Sequence, residues 1–314
     1  MVAARFIGNR LVQLIPVVFG ITLVVFFLVR LIPGDPAVVM LGYKATPANI
    51  ARIHRELGLD RGIVAQYGIF LGHAVRGNLG YSYFYSQSAA SLVLERLGAT
   101  LFLIAYSIVV TLALAIPLSL VAAKRAESHV DRGIRAALVP GLATPPYWLG
   151  TLMILFVAVK VHVFPAGGYG SGVFGHVDSL FLPALTIALG LLPLVVRALR
   201  ASLIQTMHAD YTDMMRAKGI PQRVINRHAL RNALIPTVTI LGVNTGFLIG
   251  GVVIIEQVFG LPGLGGLMLN AISTRDYPTV QAATLLFAIL VVAINLLADL
   301  VNFGLDPRLR VGRG

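Results

Sequence analysis

Few side chains in this sequence stand at spacings that chemistry uses. There is no cysteine, which excludes disulfides, thiolate metal sites and cysteine nucleophiles. The 7 histidines are scattered, none paired with another at metal-ligand spacing on one helix, so no metal site is expected. No Gly-x-x-x-x-Gly-Lys-Ser/Thr phosphate loop occurs, so ATP is not expected to bind by that route. The Gly260 to Gly266 cluster has the look of a dinucleotide fingerprint but lacks the alternating strands and helices that such a site needs. Serine and aspartate occur without a nucleophile elbow or a base arrangement, which argues against a hydrolase.

What remains is recognition, and charge placed among apolar residues. The densest candidate is the run from Ala209 to Pro236. It reads as a helix, a tight turn and a second helix: Asp210 as cap with Asp213 at the third position, Gly219 supplying a positive φ at the stop, Pro221 in the first turn of the next helix. Tyr211, Met214, Met215 and Lys218 share one face of the first helix, a short apolar stripe on a segment that sits in water. Deformable methionines suit a groove on another protein. The alternative is a basic loop that packs on its own membrane helices, and the pattern alone does not separate the two.

Other polar groups interrupt apolar stretches. Asp299, with Asn295 one turn earlier, is a functional candidate by its depth, although pairing with Arg197 or Arg200 or contact with headgroup water would make it structural, which is the favoured reading. Asn244 and Thr245, with Thr237 and Thr239 nearby, either glue helices together or line a path, glue being favoured for any one of them.

These residues are positioned by elements that composition already classifies. The 314 residues are 57% hydrophobic and 12% charged, more apolar surface than a soluble fold of this length hides. Six stretches reach the roughly 20 apolar residues needed to cross a bilayer. They lie at 11–30, 99–123, 136–159, 180–200, 233–255 and 280–303, which predicts an all-α polytopic membrane protein. The first is read as a retained anchor, since it runs on without a small-residue cleavage site. Sixteen of the 25 Lys and Arg fall at the two termini, at 124–135 and at 197–231, which predicts that these face the cytoplasm. The net charge of +12 is dispersed between apolar stretches, as suits acidic lipid headgroups, and is not gathered as nucleic acid would require.

The chain therefore divides into an N-terminal end with the first span at 1–32, an outer segment at 33–98, and a core at 99–314 whose cytoplasmic loop lies at about 201–232. The outer segment is too long for a connector, so it should fold. Within it Thr46-Pro47 and Gly58 bracket a helix at 47–57. The glycine- and proline-rich runs at 165–175 and 260–266 are candidates to dip back toward the membrane.

Asp213, Gly219 six residues on, and the basic run His228-Ala-Leu-Arg-Asn-Ala-Leu-Ile-Pro236 resemble the cytoplasmic coupling loop of bacterial ABC importer permeases. The general pattern there is Glu-Ala-Ala, three residues, then Gly; here Asp213-Met214-Met215 replaces the triplet, and Ala229-Leu-Arg-Asn232 stands where many families carry Ile-x-Leu-Pro. Arg216-Ala-Lys-Gly219 and the His228 to Pro236 run are similar to the dipeptide, oligopeptide and nickel branch. The likeness continues through Leu11 to Pro16, Leu31-Ile-Pro-Gly-Asp-Pro36, Glu56-Leu-Gly-Leu-Asp60, Gly77-Asn-Leu-Gly80, Pro145-Pro-Tyr-Trp-Leu-Gly150, Phe164-Pro-Ala-Gly167, Glu256 to Gly265, Arg275-Asp-Tyr-Pro278 and Leu305-Asp-Pro-Arg308.

The resemblance implies a type I ABC importer permease with six membrane helices, in the bacterial inner membrane. It implies that Tyr211, Asp213, Met214, Met215, Ala217, Lys218 and Gly219 contact an ATPase, and that Glu256 either lines the outer mouth or anchors a re-entrant loop. It further implies a second homologous permease, two ATP-binding subunits that use ATP and Mg, and an extracytoplasmic solute-binding protein. This chain itself would carry no cofactor and would not be an enzyme. Short peptides are the favoured cargo over nickel or another small solute. The reading from a different class is a self-sufficient ion-driven carrier with Asp299 or Glu256 as its charged switch.

Overall fold

The computed structural model describes residues 15–27 and 35–305. In chain order its helices are α1 (Ile15–Phe27), α2 (Pro36–Leu41), α3 (Pro47–Leu57), α4 (Ile63–Val75), α5 (Ala89–Lys124), α6 (His129–Ala143), α7 (Pro146–Leu152, continued as a π-helix over Met153–Val161), α8 (Gly172–Met207), α9 (Asp210–Ala217), α10 (Gln222–Val243), α11 (Thr245–Val258), α12 (Leu264–Ser273) and α13 (Tyr277–Leu305). The strands described are a minimal hairpin, β1 (Tyr81–Ser82) antiparallel to β2 (Gln87–Ser88).

The fold is thus helical and membrane-like. α5, α8 and α13 are each long and apolar enough to cross a membrane unbroken. Of the first expected stretch only α1 is described; the remainder of 11–30, both termini, residues 31–34 and residues 306–308 lie outside the described residues.

Two expected straight spans are bent. The stretch 136–159 breaks by 106° between α6 and α7, and 233–255 breaks by 58° between α10 and α11. The first break follows from Pro145-Pro146: a residue before proline is pushed out of the helical region, and Thr144 is extended, with φ −89° and ψ 124°. The second falls at Asn244, whose ψ of 11° lets a new helix start at Thr245.

Two compact units divide the chain. One contains residues 102–261 and 293–305 of those described, and its centre is α8. The most apolar stretch of α8 is 72% buried, against 33% for α5 and 17% for α13, so α8 is the core element and the other two present broad faces outward. One side of α8 packs Leu199, Leu203 and Met207 against Ala229 and Ala233 of α10, with Ala123 of α5 joining them. A second cluster sets Leu192, Val195 and Val196 against Ala115 of α5. Alanines four residues apart let two backbones approach closely, the usual device where lipid supplies no hydrophobic drive between helices.

In the same unit the Pro145–Gly150 and Phe164–Gly167 motifs converge on the first residues of the Glu256–Gly265 motif. A Cβ on Gly150 would lie 3.2 Å from Val258 and 3.3 Å from Ile255 and Phe259, and one on Gly167 would collide with the Phe259 carbonyl, which accepts from Gly168 N–H at 3.1 Å. His176, one of the scattered histidines, stacks on Tyr169 at 4.0 Å and is half-buried.

The other unit contains 15–27, 35–101 and 262–292. Its α3 has the predicted limits, with Thr46 Oγ accepting from Asn49 N–H and Gly58 at φ 61°. Ala37, Leu41 and Ile53 form its small core between α2 and α3. Buried Asp276 accepts from Ser82 at 2.5 Å and Thr279 at 2.7 Å, and Gly80 leaves only 3.1 Å between its would-be Cβ and Pro278. Thr100 Oγ caps the Leu264 N–H that opens α12.

His54 ties α3 to the residue that caps α2: its Nε2 lies 2.8 Å from Asp35, which also accepts from Ala37 N–H, and its Nδ1 lies 3.5 Å from Asp60. The hydrogen bond to Asp35, aided by Asp60, raises the imidazole above its ordinary 6.5. A cation favoured by folding stabilises the folded form fully below the unfolded value and ceases to do so as pH rises through the folded one. Amide exchange across residues 36–57, corrected for intrinsic rates, should therefore slow on acidification through neutrality, and Asp35→Asn should flatten that dependence. An unchanged pH profile in the variant would remove the pair from the account.

Candidate functional site

The segment 201–232 holds little irregular chain. It comprises the last turns of α8, the eight-residue α9 and the first turns of α10. The expected cap differs: Ala209, extended at φ −77° and ψ 144°, holds the cap position without a side-chain bond, and Asp210 is the first helical residue. There its carboxylate is favoured by the positive end of the helix rather than by a hydrogen bond. Asp213 does not close a capping box either, since its Oδ1 accepts from Arg216 at 2.7 Å. Pro221 sits one position ahead of its predicted place, as the cap of α10.

The stop is as predicted and more complete. Gly219 has φ 72°; its N–H reaches the Arg216 carbonyl at 2.9 Å and Ile220 N–H reaches Met215 at 3.1 Å, the paired bonds of a Schellman turn. A Cβ on Gly219 would meet nothing within 4 Å, so the demand for glycine there is conformational and not spatial.

α9 is fastened on both flanks. Thr212, buried, donates to the Thr206 carbonyl of α8 at 2.8 Å, and Asn232 of α10 donates to the Tyr211 hydroxyl at 3.1 Å. α8 and α10 are themselves locked by the Leu199, Leu203, Ala229 and Ala233 packing. Outward, Tyr211 and Met214 are 41% and 58% exposed; Asp213, Ala217, Lys218 and Gly219 are exposed too, and Met215 is half-buried. The structure thus ties a short helix to α8 through Thr212 and to α10 through the Tyr211 hydroxyl, and leaves Met214 and part of the Tyr211 side chain exposed.

The remaining candidates lie elsewhere. Asn244 and Thr245 sit at the 58° bend, Asn244 Nδ2 donating to Ile240 O at 2.8 Å and Thr245 Oγ to Gly242 O at 2.6 Å. Thr239, which accepts from Asn302 of α13 at 2.9 Å, is glue between helices. Glu256 is buried, and its carbonyl receives Leu261 N–H at 2.8 Å in the turn that ends α11. Asp299 is half-buried in α13.

Arg200, considered above as its partner, belongs to Asp131 instead. The guanidinium meets the fully buried carboxylate through two bonds of 2.6 Å, with Arg135 at 3.3 Å and Glu127 N–H at 3.1 Å completing its shell. Sequence reasoning missed this pair because 69 residues separate its members; the only local signal was Ser128 three residues before Asp131, which does cap α6 at 3.3 Å.

A multi-pass helical membrane protein with a short, partly exposed helix fastened between two long ones is a class consistent with transport components. Residues 115–311 match the family described as binding-protein-dependent transport system inner membrane component, and residues 3–104 match the N-terminal portion described for the same systems. The chain belongs to that family. It is 37% identical over 306 residues to a peptide transport system permease of Brucella abortus, covering 96% of this chain and 98% of that one. It is 36% identical to the oligopeptide transport system permease AppB of Bacillus subtilis, covering 98% and 99%, and 35% identical to a peptide ABC transporter permease of Sinorhizobium fredii, covering 97% and 99%.

If the Schellman turn rests on backbone conformation alone, Gly219→Ala should weaken it by about 1–2 kcal/mol, the cost of a left-handed residue with a Cβ. Gly219→Asn should largely spare it, because asparagine enters that region readily. The exchange rate of the Ile220 amide reads both; equal acceleration by Ala and Asn would mean that space, not φ, dictates the glycine.

Proposed function

We propose that this chain is the permease subunit of an ATP-driven importer of short peptides, forming half of the translocation path beside a second, homologous permease. Two ATP-binding subunits dock on the α9 side and hydrolyse ATP with Mg; an extracytoplasmic solute-binding protein delivers the cargo. Both termini and α9 then face the cytoplasm, as the distribution of Lys and Arg favours. This chain needs no cofactor and catalyses no reaction of its own. The peptide assignment draws on the names of the Brucella, Bacillus and Sinorhizobium relatives.

The observation that carries the coupling role is the exposed Tyr211 and Met214 on a helix held by Thr206, Asn232 and the Gly219 turn. Large apolar side chains on a segment outside the membrane gain by entering a protein groove, where flexible methionine adapts to the walls. Nucleotide can bias the permease through such a contact only if the groove binds α9 with different affinity in its two states.

Substituting Met214→Asp should leave membrane insertion and basal ATP hydrolysis by the copurified ATPases intact, while weakening docking about tenfold, the effect of some 1.4 kcal/mol. Uptake stimulated by the binding protein should fall with it. Cysteines at Met214 or Met215 should crosslink to an ATPase in the assembled complex. Full uptake by the variant, with no crosslink from either position, would sink the coupling role.

A further inference from the structure

Between α6 and α8 lies an open cleft of ≈ 620 Å³ that neither the coupling helix nor the bends use. Four arginines line it, Arg132 and Arg135 from α6 and Arg197 and Arg200 from α8. Two contacts fix its shape. At one end the Asp131 carboxylate and Arg200 clamp the helices together. At the other, Gly141 lets them touch: a Cβ there would stand 2.6 Å from the Leu189 carbonyl and 3.2 Å from the Pro193 ring.

Polarity is graded along this cleft. On α6 the lining runs from Arg132 and Arg135 near the helix start to Val139 and Leu142; on α8, which runs the other way, it passes from Arg200 and Arg197 back to Val196 and Pro193. The cationic end is the one from which α8 continues into α9, and the apolar end points along the spans. Charge is not balanced within the protein. Asp131 and Glu127 contact Arg200, and Asp131 also reaches Arg135, but Arg132 and Arg197 have no ion-pair partner among the described residues.

We propose that this cleft binds an acidic phospholipid of the leaflet on the α9 side, its phosphodiester on Arg132 and Arg197 and its acyl chains over Val139, Leu142 and Pro193. Guanidinium matches phosphate oxygens with paired N–H donors, and a basic pocket between membrane helices is the arrangement that captures acidic headgroups. A peptide path would need acceptors for both signs of charge, and an apolar helix of a partner chain would leave Arg132 and Arg197 without counter-ions. The inference stands apart from the coupling role, since it requires only that these helices sit in a membrane.

The test is native mass spectrometry of the full-length chain, with whatever subunits accompany it, after exchange against phosphatidylglycerol or phosphatidylcholine. Wild type should retain phosphatidylglycerol selectively. Arg132→Gln/Arg197→Gln, which leaves the Asp131–Arg200 clamp intact, should lower that retention about thirtyfold, each basic residue near a headgroup counting for roughly fivefold. Ala136→Trp, which fills the cleft and keeps every arginine, should also expel the lipid, guarding against a folding defect in the double variant. Arg223→Gln/Arg227→Gln removes two exposed cations outside the cleft and should change nothing. Undiminished retention in the first two variants, or equal loss in the third, would overturn the proposal. So would displacement of the lipid by inorganic phosphate, which would make this a phosphate site, or a crosslink from Val139→Cys to a second permease chain, which would make the cleft a protein interface.

Discussion

The unit around α8 depends on one constraint: inside a bilayer, a helix gains nothing hydrophobic by leaving lipid for another helix, so it must be held by close packing and by polar contacts. α8 satisfies that demand on several sides by different means. Against α10 it uses the small side chains Ala229 and Ala233; against α6 it uses the bare backbone of Gly141 and the Asp131–Arg200 pair. A fully buried carboxylate would be costly alone, and this one is held by a bidentate guanidinium, a second arginine and a backbone N–H. Such a pair is better understood as fixing which faces of α6 and α8 meet than as a net source of stability.

The same absence of water governs the two bends. Every carbonyl and N–H released where a helix breaks must find a partner within the protein. At the first, Thr144 N–H returns to Pro140, and the Pro145 carbonyl receives both Trp148 and Leu149. At the second, side chains do the work: the amide of Asn244 and the hydroxyl of Thr245 fold back onto the carbonyls of Ile240 and Gly242. Their polarity is therefore accounted for by the bend itself. Gly242, just before the bend, lies where α13 comes close: a Cβ there would press to 3.0 Å on Ala298.

What could be seen in the sequence were the features written in consecutive residues. Apolar runs located the helices now seen as α5, α8 and α13; Thr46, Pro47 and Gly58 delimited α3; Gly219 marked the end of α9. Features set by two distant segments stayed hidden. Nothing near Asp131 names Arg200, nothing near Ser82 names Asp276, and Gly167 gives no hint of Phe259. The bend at Pro145-Pro146 was locally encoded, but the residues on both sides are apolar and read as one continuous stretch at 136–159. Ala209 shows the opposite error: Asp210 has the better capping side chain, yet the extended backbone one residue earlier decides where α9 begins.

These two kinds of feature meet in the geometry around α9. Its helical neighbours differ in what lies beyond them: α8 runs unbroken for 36 residues, about 54 Å at the helical rise, well past the roughly 30 Å of hydrocarbon, while α10 runs 22 residues to the bend at Asn244. Because the Ala229 and Ala233 packing joins α10 to α8 near α9, a displacement imposed on α9 under the proposed coupling moves both helices there as one body. Farther along they need not move alike. At the bend the Asn244 and Thr245 side chains bond the carbonyls of Ile240 and Gly242, so the turn from α10 into α11 leaves those carbonyls partnered. α8 runs through the same depth without a break, with Pro183 and Pro193 inside it, so the two antiparallel helices that meet beside α9 differ in direction only past Asn244.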